Sequence, residues 1–137
     1  MNSLIEKHNL QDKISCDSAG TIGYHSGEPA DARMQKHATK RGYNLTSLAR
    51  QIKHHDFEKF DYIIAMDRDN YRNILSLDSE DKFKNKVFMM MSFAEMYKEE
   101  NVPDPYYGGE QGFEYVLDLL EDACSGLLEY IIKKEFD

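Results

Sequence analysis

The C-terminal part of the chain carries one unbroken apolar stripe, and no other stretch limits the possible folds so strongly. Phe113, Val116, Leu117, Leu120, Ala123, Cys124, Leu127, Leu128 and Ile131 recur at i, i+3, i+4 spacing, which lines them along one face of a helix over about 111–133. Glu114, Asp118, Glu121 and Asp122 are read onto the outward face, and Lys133 and Lys134 complement the helix C-terminus. A face of that length has to be covered by other apolar structure. Two runs can cover it, Tyr62-Ile63-Ile64-Ala65-Met66 and Val87-Phe88-Met89-Met90. Continuous apolar runs this short read as strands buried on both sides.

The rest of the chain supplies what such strands need. Lys13-Ile14-Ser15-Cys16-Asp17-Ser18 is a further short strand candidate. Pro29 and Asp31 announce a helix to about residue 41, which Gly42 stops, and 56–60 makes one helical turn. Asp67 caps a helix over 68–77, and 92–100 is a weak helix or loop. Met1, Leu4 and Ile5 have helical spacing with no capping residue before them, so they read as the latter part of a helix whose beginning is missing. Strands separated by helices predict an α/β fold, a doubly wound parallel sheet with helices on both faces, forming one domain over 1–137. Ligands of such sheets bind beyond the carboxyl ends of the strands. Ser18 to Gly20, Asp67 and the loop 102–109 all follow strands and are expected to meet there.

Composition excludes several partners. A formal net charge of −8 argues against nucleic acid and anionic membranes, which need clustered Lys and Arg. No apolar run approaches the roughly 20 residues of a membrane span, and the N-terminus lacks a signal-peptide pattern. Cys16 and Cys124 form neither a disulfide framework nor a metal spacing, which fits a reducing cytoplasm. Both are expected to be core thiols, with Met89, Met90 and Met91 as core filler. The five histidines show no metal pattern, His54 and His55 being read as surface, and no cofactor is implied.

One loop asks for a chemical reading. Val102-Pro103-Asp104-Pro105-Tyr106-Tyr107-Gly108-Gly109 sets a carboxylate between two prolines, beside paired tyrosines. Pro105 biases Asp104 toward extended backbone, so the carboxylate is presented on a stiff arm. Turn formers alone would explain Pro, Gly and Asp but not the adjacent aromatics, which suit the wall of a flat, charged substrate group.

With that loop the chain resembles the low-molecular-weight protein tyrosine phosphatases. The resemblance runs through Asp17-Ser18-Ala19-Gly20-Thr21, Gly27-Glu28-Pro29, Ala49-Arg50-Gln51, Phe57-Glu58-Lys59-Phe60-Asp61 and Ala65-Met66-Asp67. It continues through the loop 102–109 and Gly112-Phe113, covering essentially the whole chain. The resemblance implies that Asp104 is a general acid that protonates the leaving phenolic oxygen, in a hydrolysis of phosphotyrosine proteins that passes through a phosphocysteine. It implies that Tyr106, Tyr107 and Tyr24 line the aryl pocket, that Ser18 braces the phosphate-binding loop, and that Asp67 orients that loop's arginine. Ser47 stands where the family commonly has a histidine.

The family's nucleophile is a cysteine in a Cys-x5-Arg loop after the first strand, where backbone N–H groups hold phosphate and lower the thiol pKa. Six residues after Cys16 stands Ile22, and six after Cys124 stands Tyr130, so neither cysteine fits. The expectation is therefore an N-terminally truncated domain lacking the first central strand and the loop. It would be inactive as written and driven to homo-oligomerise by the sheet edges left open. A non-catalytic phosphatase-like interaction module is the alternative. An arsenate reductase ranks below both, because that chemistry also needs the nucleophile.

Overall fold

The computed structural model of the 137-residue chain describes residues 1–21, 26–105 and 109–136. Its elements in chain order are α1 (Asn2–Lys7), α2 (Ala32–Lys40), α3 (Asp56–Lys59), β1 (Ile63–Ala65), α4 (Arg68–Leu77), β2 (Val87–Met89) and α5 (Gly109–Glu135). Short 3-10 turns, Lys84–Lys86 and Met90–Phe93, flank β2.

β1 and β2 pair in parallel, Ile63 opposite Val87, Ile64 opposite Phe88 and Ala65 opposite Met89. Successive strand residues point to opposite faces, and β1 divides its three side chains accordingly. Ile64 packs with the core built on α5, around Leu119, Ala123, Leu127, Ile131, Met90 and Met91. Ile63 and Ala65 enter the other core, with Phe57 of α3, Ile74 of α4 and Val87. Helices therefore cover both faces, as the continuous apolar runs required. The sheet is smaller than expected, because among the described residues only β1 and β2 form a ladder. The strand expected over 13–18 is irregular, and the nearby ladder contact is a single parallel bridge from Gly20 to Gln51. Cys16, with no pleat to turn it inward, is exposed rather than core, and Cys124 is half-buried.

The helix signals translate directly. Asp31 accepts hydrogen bonds from the Arg33 and Met34 amides at the start of α2. At its end, Gly42 takes the left-handed conformation (φ 87°), with Gly42 N–H donating to the Thr39 carbonyl and Tyr43 N–H to that of Ala38. Asp67 caps α4 through the Asn70 N–H at 2.7 Å. α1 begins at Asn2 with no side-chain cap. The acids expected on the outward face of α5 stay partly exposed but are engaged by partners. Arg41 of α2 holds Glu114 and Asp118 at 2.9 Å and also pairs with Glu121. Buried His37 bonds Glu114 and stacks on Phe113 with ring centroids 5.4 Å apart. These bonds, Glu114 first, push the Arg41 guanidinium above its ordinary range. Among the described residues no helix is long and apolar enough to cross a membrane.

Candidate active site

Residues 94–104 of the acid arm contain no regular element, so the position of the arm depends on what it is tied to. Three ties run to the strand edge. Val102 N–H donates to the Met66 carbonyl at 2.8 Å, immediately past the end of β1. The Asn101 side-chain oxygen accepts from the Arg68 N–H at 2.8 Å, at the first turn of α4. Arg68 also pairs with Glu100. The arm is thereby laid across the carboxyl end of β1, the edge where sheets of this kind hold ligands. Asp104 is exposed two residues beyond the Val102 tie.

The other ties run to α5. Asp122 accepts from the backbone N–H groups of Glu95 (3.1 Å), Met96 (2.9 Å) and Tyr97 (3.0 Å). Burial pushes the Asp122 carboxyl up, but those three donors outweigh it and hold the group below the usual carboxylate range. The Tyr97 ring meets Tyr115 edge-on at 6.2 Å, and the hydrogen bond of Tyr115 to Glu99 raises the Tyr115 phenol. Two glycines let the arm's backbone touch the helix: a Cβ on Gly126 would lie 1.8 Å from the Phe93 carbonyl oxygen, and one on Gly112 would lie 2.8 Å from that of Pro105.

A cavity of about 570 Å³ opens beside the N-terminal end of the chain. Its lining includes Met1, Leu4, Leu117, Leu120 and Cys124, and Ser18 and Ser47 also line it. Desolvation by neighbouring atoms pushes up the thiols of Cys124 and, although that residue is exposed overall, of Cys16, and the N-terminal ammonium offsets part of this. Neither is set up as a thiolate at neutral pH. The stretch leading to Ser18 is braced from the far side. Arg50 holds Asp17 at 3.1 Å and buried Asp56 at 3.0 and 3.2 Å, while Gly20 and Ile52 exchange backbone bonds with residues of the same pair of segments.

The residues expected at the site are thus split. Ser18 lines the cavity, whereas Asp67 and Asp104 belong to the strand edge and do not line it. Tyr24, Tyr106 and Tyr107 lie outside the described residues. Sequence reasoning missed Asp122, Gly112 and Gly126 as supports of the arm. An acid on the polar face of a helix carries no signal of the backbone it caps, and only the crowding of the arm explains the glycines. Among the described residues no group of three His, Cys, Asp or Glu side chains is arranged to hold a metal.

Comparison with known proteins adds a family. Residues 1–136 match the family described as low molecular weight phosphotyrosine protein phosphatase. The Synechocystis protein slr0328, whose name sets it with the low molecular weight protein-tyrosine-phosphatases, is 50% identical over 134 residues, spanning 98% of this chain and 85% of its own. The human low molecular weight phosphotyrosine protein phosphatase is 35% identical, over 92% of this chain and 80% of its own. Among solved structures, a protein tyrosine phosphatase from Entamoeba histolytica superposes with a TM-score of 0.93 at 45% identity, covering 98% of this chain and 86% of that one.

Proposed function

Because this chain belongs to the low molecular weight phosphotyrosine protein phosphatase family, we propose that its arm presents Asp104 as the general acid of aryl phosphate hydrolysis. The observation that carries the reading is the docking of that arm on the carboxyl end of β1, through Val102 N–H to the Met66 carbonyl. In a complete site Asp104 would donate its proton to the phenolic oxygen as the phosphoryl group passes from that oxygen to the thiolate of a Cys-x5-Arg loop, a role that typically contributes ~10²–10⁴-fold. With such a cradle in place, Tyr106, Tyr107 and Tyr24 would supply the aryl walls, Ser18 would brace the cradle, and Asp67 would orient its arginine. The substrate class is phosphotyrosine protein.

The 137 residues contain no Cys-x5-Arg sequence, and both cysteines have raised pKa values. We infer that this chain by itself carries the acid half of the mechanism without the nucleophilic half, and does not turn over. Among the described residues the edge of β1 away from β2 has no ladder partner, and we infer that it is completed by pairing with another copy. Light scattering that finds a monomer at every concentration would overturn this assembly.

The activity test uses the purified chain of verified mass with p-nitrophenyl phosphate between pH 5 and 8. The expected result is no turnover above an Asp104→Asn control. Turnover that Asp104→Asn lowers would keep the acid and overturn the missing nucleophile. Turnover indifferent to Asp104 would overturn both.

A further inference from the structure

We propose that Asp122 of α5 is the positioning residue for the acid arm, fixing through three backbone N–H bonds the segment that carries Asp104 to the strand edge. The inference rests on reading Asp104 as the general acid, and extends it to a residue far away in sequence.

The argument is one of constraint. Residues 94–101 contain no helix or strand, so their backbone donors have no ladder to join. Unbonded amides at this largely exposed surface would be left to water and would not fix the backbone. Asp122 answers three consecutive donors with one carboxylate, Oδ1 taking the Glu95 N–H and Oδ2 those of Met96 and Tyr97. Charge-assisted bonds of this kind are about twice as strong as neutral ones. They convert a flexible entry into a fixed point on the longest helix of the molecule. From there only four residues separate Tyr97 from Val102, which is held at Met66. Gly112 then lets Pro105 close onto the same helix one residue past Asp104. Asp104 therefore lies between the Val102 tie and the Pro105 contact, and Asp122 fixes the entry from which the chain reaches the first of these.

The test compares Asp122→Ala and Asp122→Asn with the unsubstituted chain by amide hydrogen exchange and by the carboxyl ¹³C signal of Asp104. Asp122→Ala should speed exchange at Glu95, Met96, Tyr97 and Val102 by about 10-fold or more. The Asp104 signal should shift, while the amides of α4 stay as they were. Asp122→Asn, whose one remaining oxygen can still serve the Met96 and Tyr97 donors, should fall between the two. If Asp122→Ala fails to fold, the asparagine variant decides on the same readouts. An unmoved Asp104 signal and Val102 amide in the folded variants would overturn the proposal, as would acceleration spread evenly over α4 and α2. The two readings fail separately, since these readouts register where the arm lies whether or not the chain turns over an aryl phosphate.

Discussion

Gly126 lies directly against the Phe93 carbonyl, so close that a methyl group on its Cα would come within 1.8 Å of the oxygen. The atom in the way is backbone at the end of the turn Met90–Phe93, and it cannot swing aside like a side chain. Gly126→Ala should therefore destabilise the fold at or above the upper end of the about 1–3 kcal/mol typical of overpacking, despite alanine's higher helix propensity. Urea unfolding would check this, and a stability equal to or above the parent would show that the contact yields.

Gly112→Ala is expected to act more locally. Its methyl would meet the Pro105 oxygen at 2.8 Å, a smaller intrusion on a more exposed segment. We expect about 1 kcal/mol of destabilisation with faster exchange of the Val102 amide. An unchanged Val102 amide would mean that the arm's two ends are independent.

Asp56 and Arg50 should set the acid limit of the fold. Burial raises the Asp56 carboxyl, but the Arg50 hydrogen bonds, the Lys53 N–H and the Arg50 charge together leave it lowered. With the folded value below the unfolded value of about 3.9, the stabilisation is complete above the unfolded pKa. It is lost as pH falls through the folded one. Asp56→Asn should flatten that part of the stability–pH curve below about pH 4. Asp56→Ala should cost less than the about 3–5 kcal/mol of breaking a fully buried pair, because Arg50 is partly exposed and keeps Asp17. Denaturation midpoints between pH 2 and 7 would decide, and an equally steep acid limit in Asp56→Asn would assign it to other carboxylates.

Phe57 is the largest side chain fully buried against α4 and β1, and its ring stacks on Phe83 at 5.4 Å. Phe57→Ala should cost about 3–5 kcal/mol and Phe57→Leu less, since leucine fills more of the space. Calorimetry giving the two variants equal midpoints would mean that the site collapses around either residue.

Periodicity and capping chemistry made much of the fold legible. α5, α4 and the two apolar strands could be read because each is specified by its own residues: a stripe, an Asp at the cap, a run of Ile, Val and Phe. The segment 13–18 could not be read in this way. Its alternation describes a strand, but a strand exists only with a partner, and partnership is not written in six residues. The partners of the α5 acids could not be read for a related reason, because Arg41 and the amides of 95–97 reach them from other parts of the chain. Asp104 stood out in the sequence through its prolines, whereas what holds it did not.

The alternation along β1 has a consequence for length rather than chemistry. Exchanging Ile63 or Ile64 for valine would trim a methyl group and leave each core its own occupant. Deleting one residue between Tyr62 and Ala65 would send the side chains that follow into the opposite core, with Met66 dragged out of reach of Val102. This stretch should accept many substitutions and no change of register, so a scan of single-residue deletions would mark it more sharply than any scan of replacements.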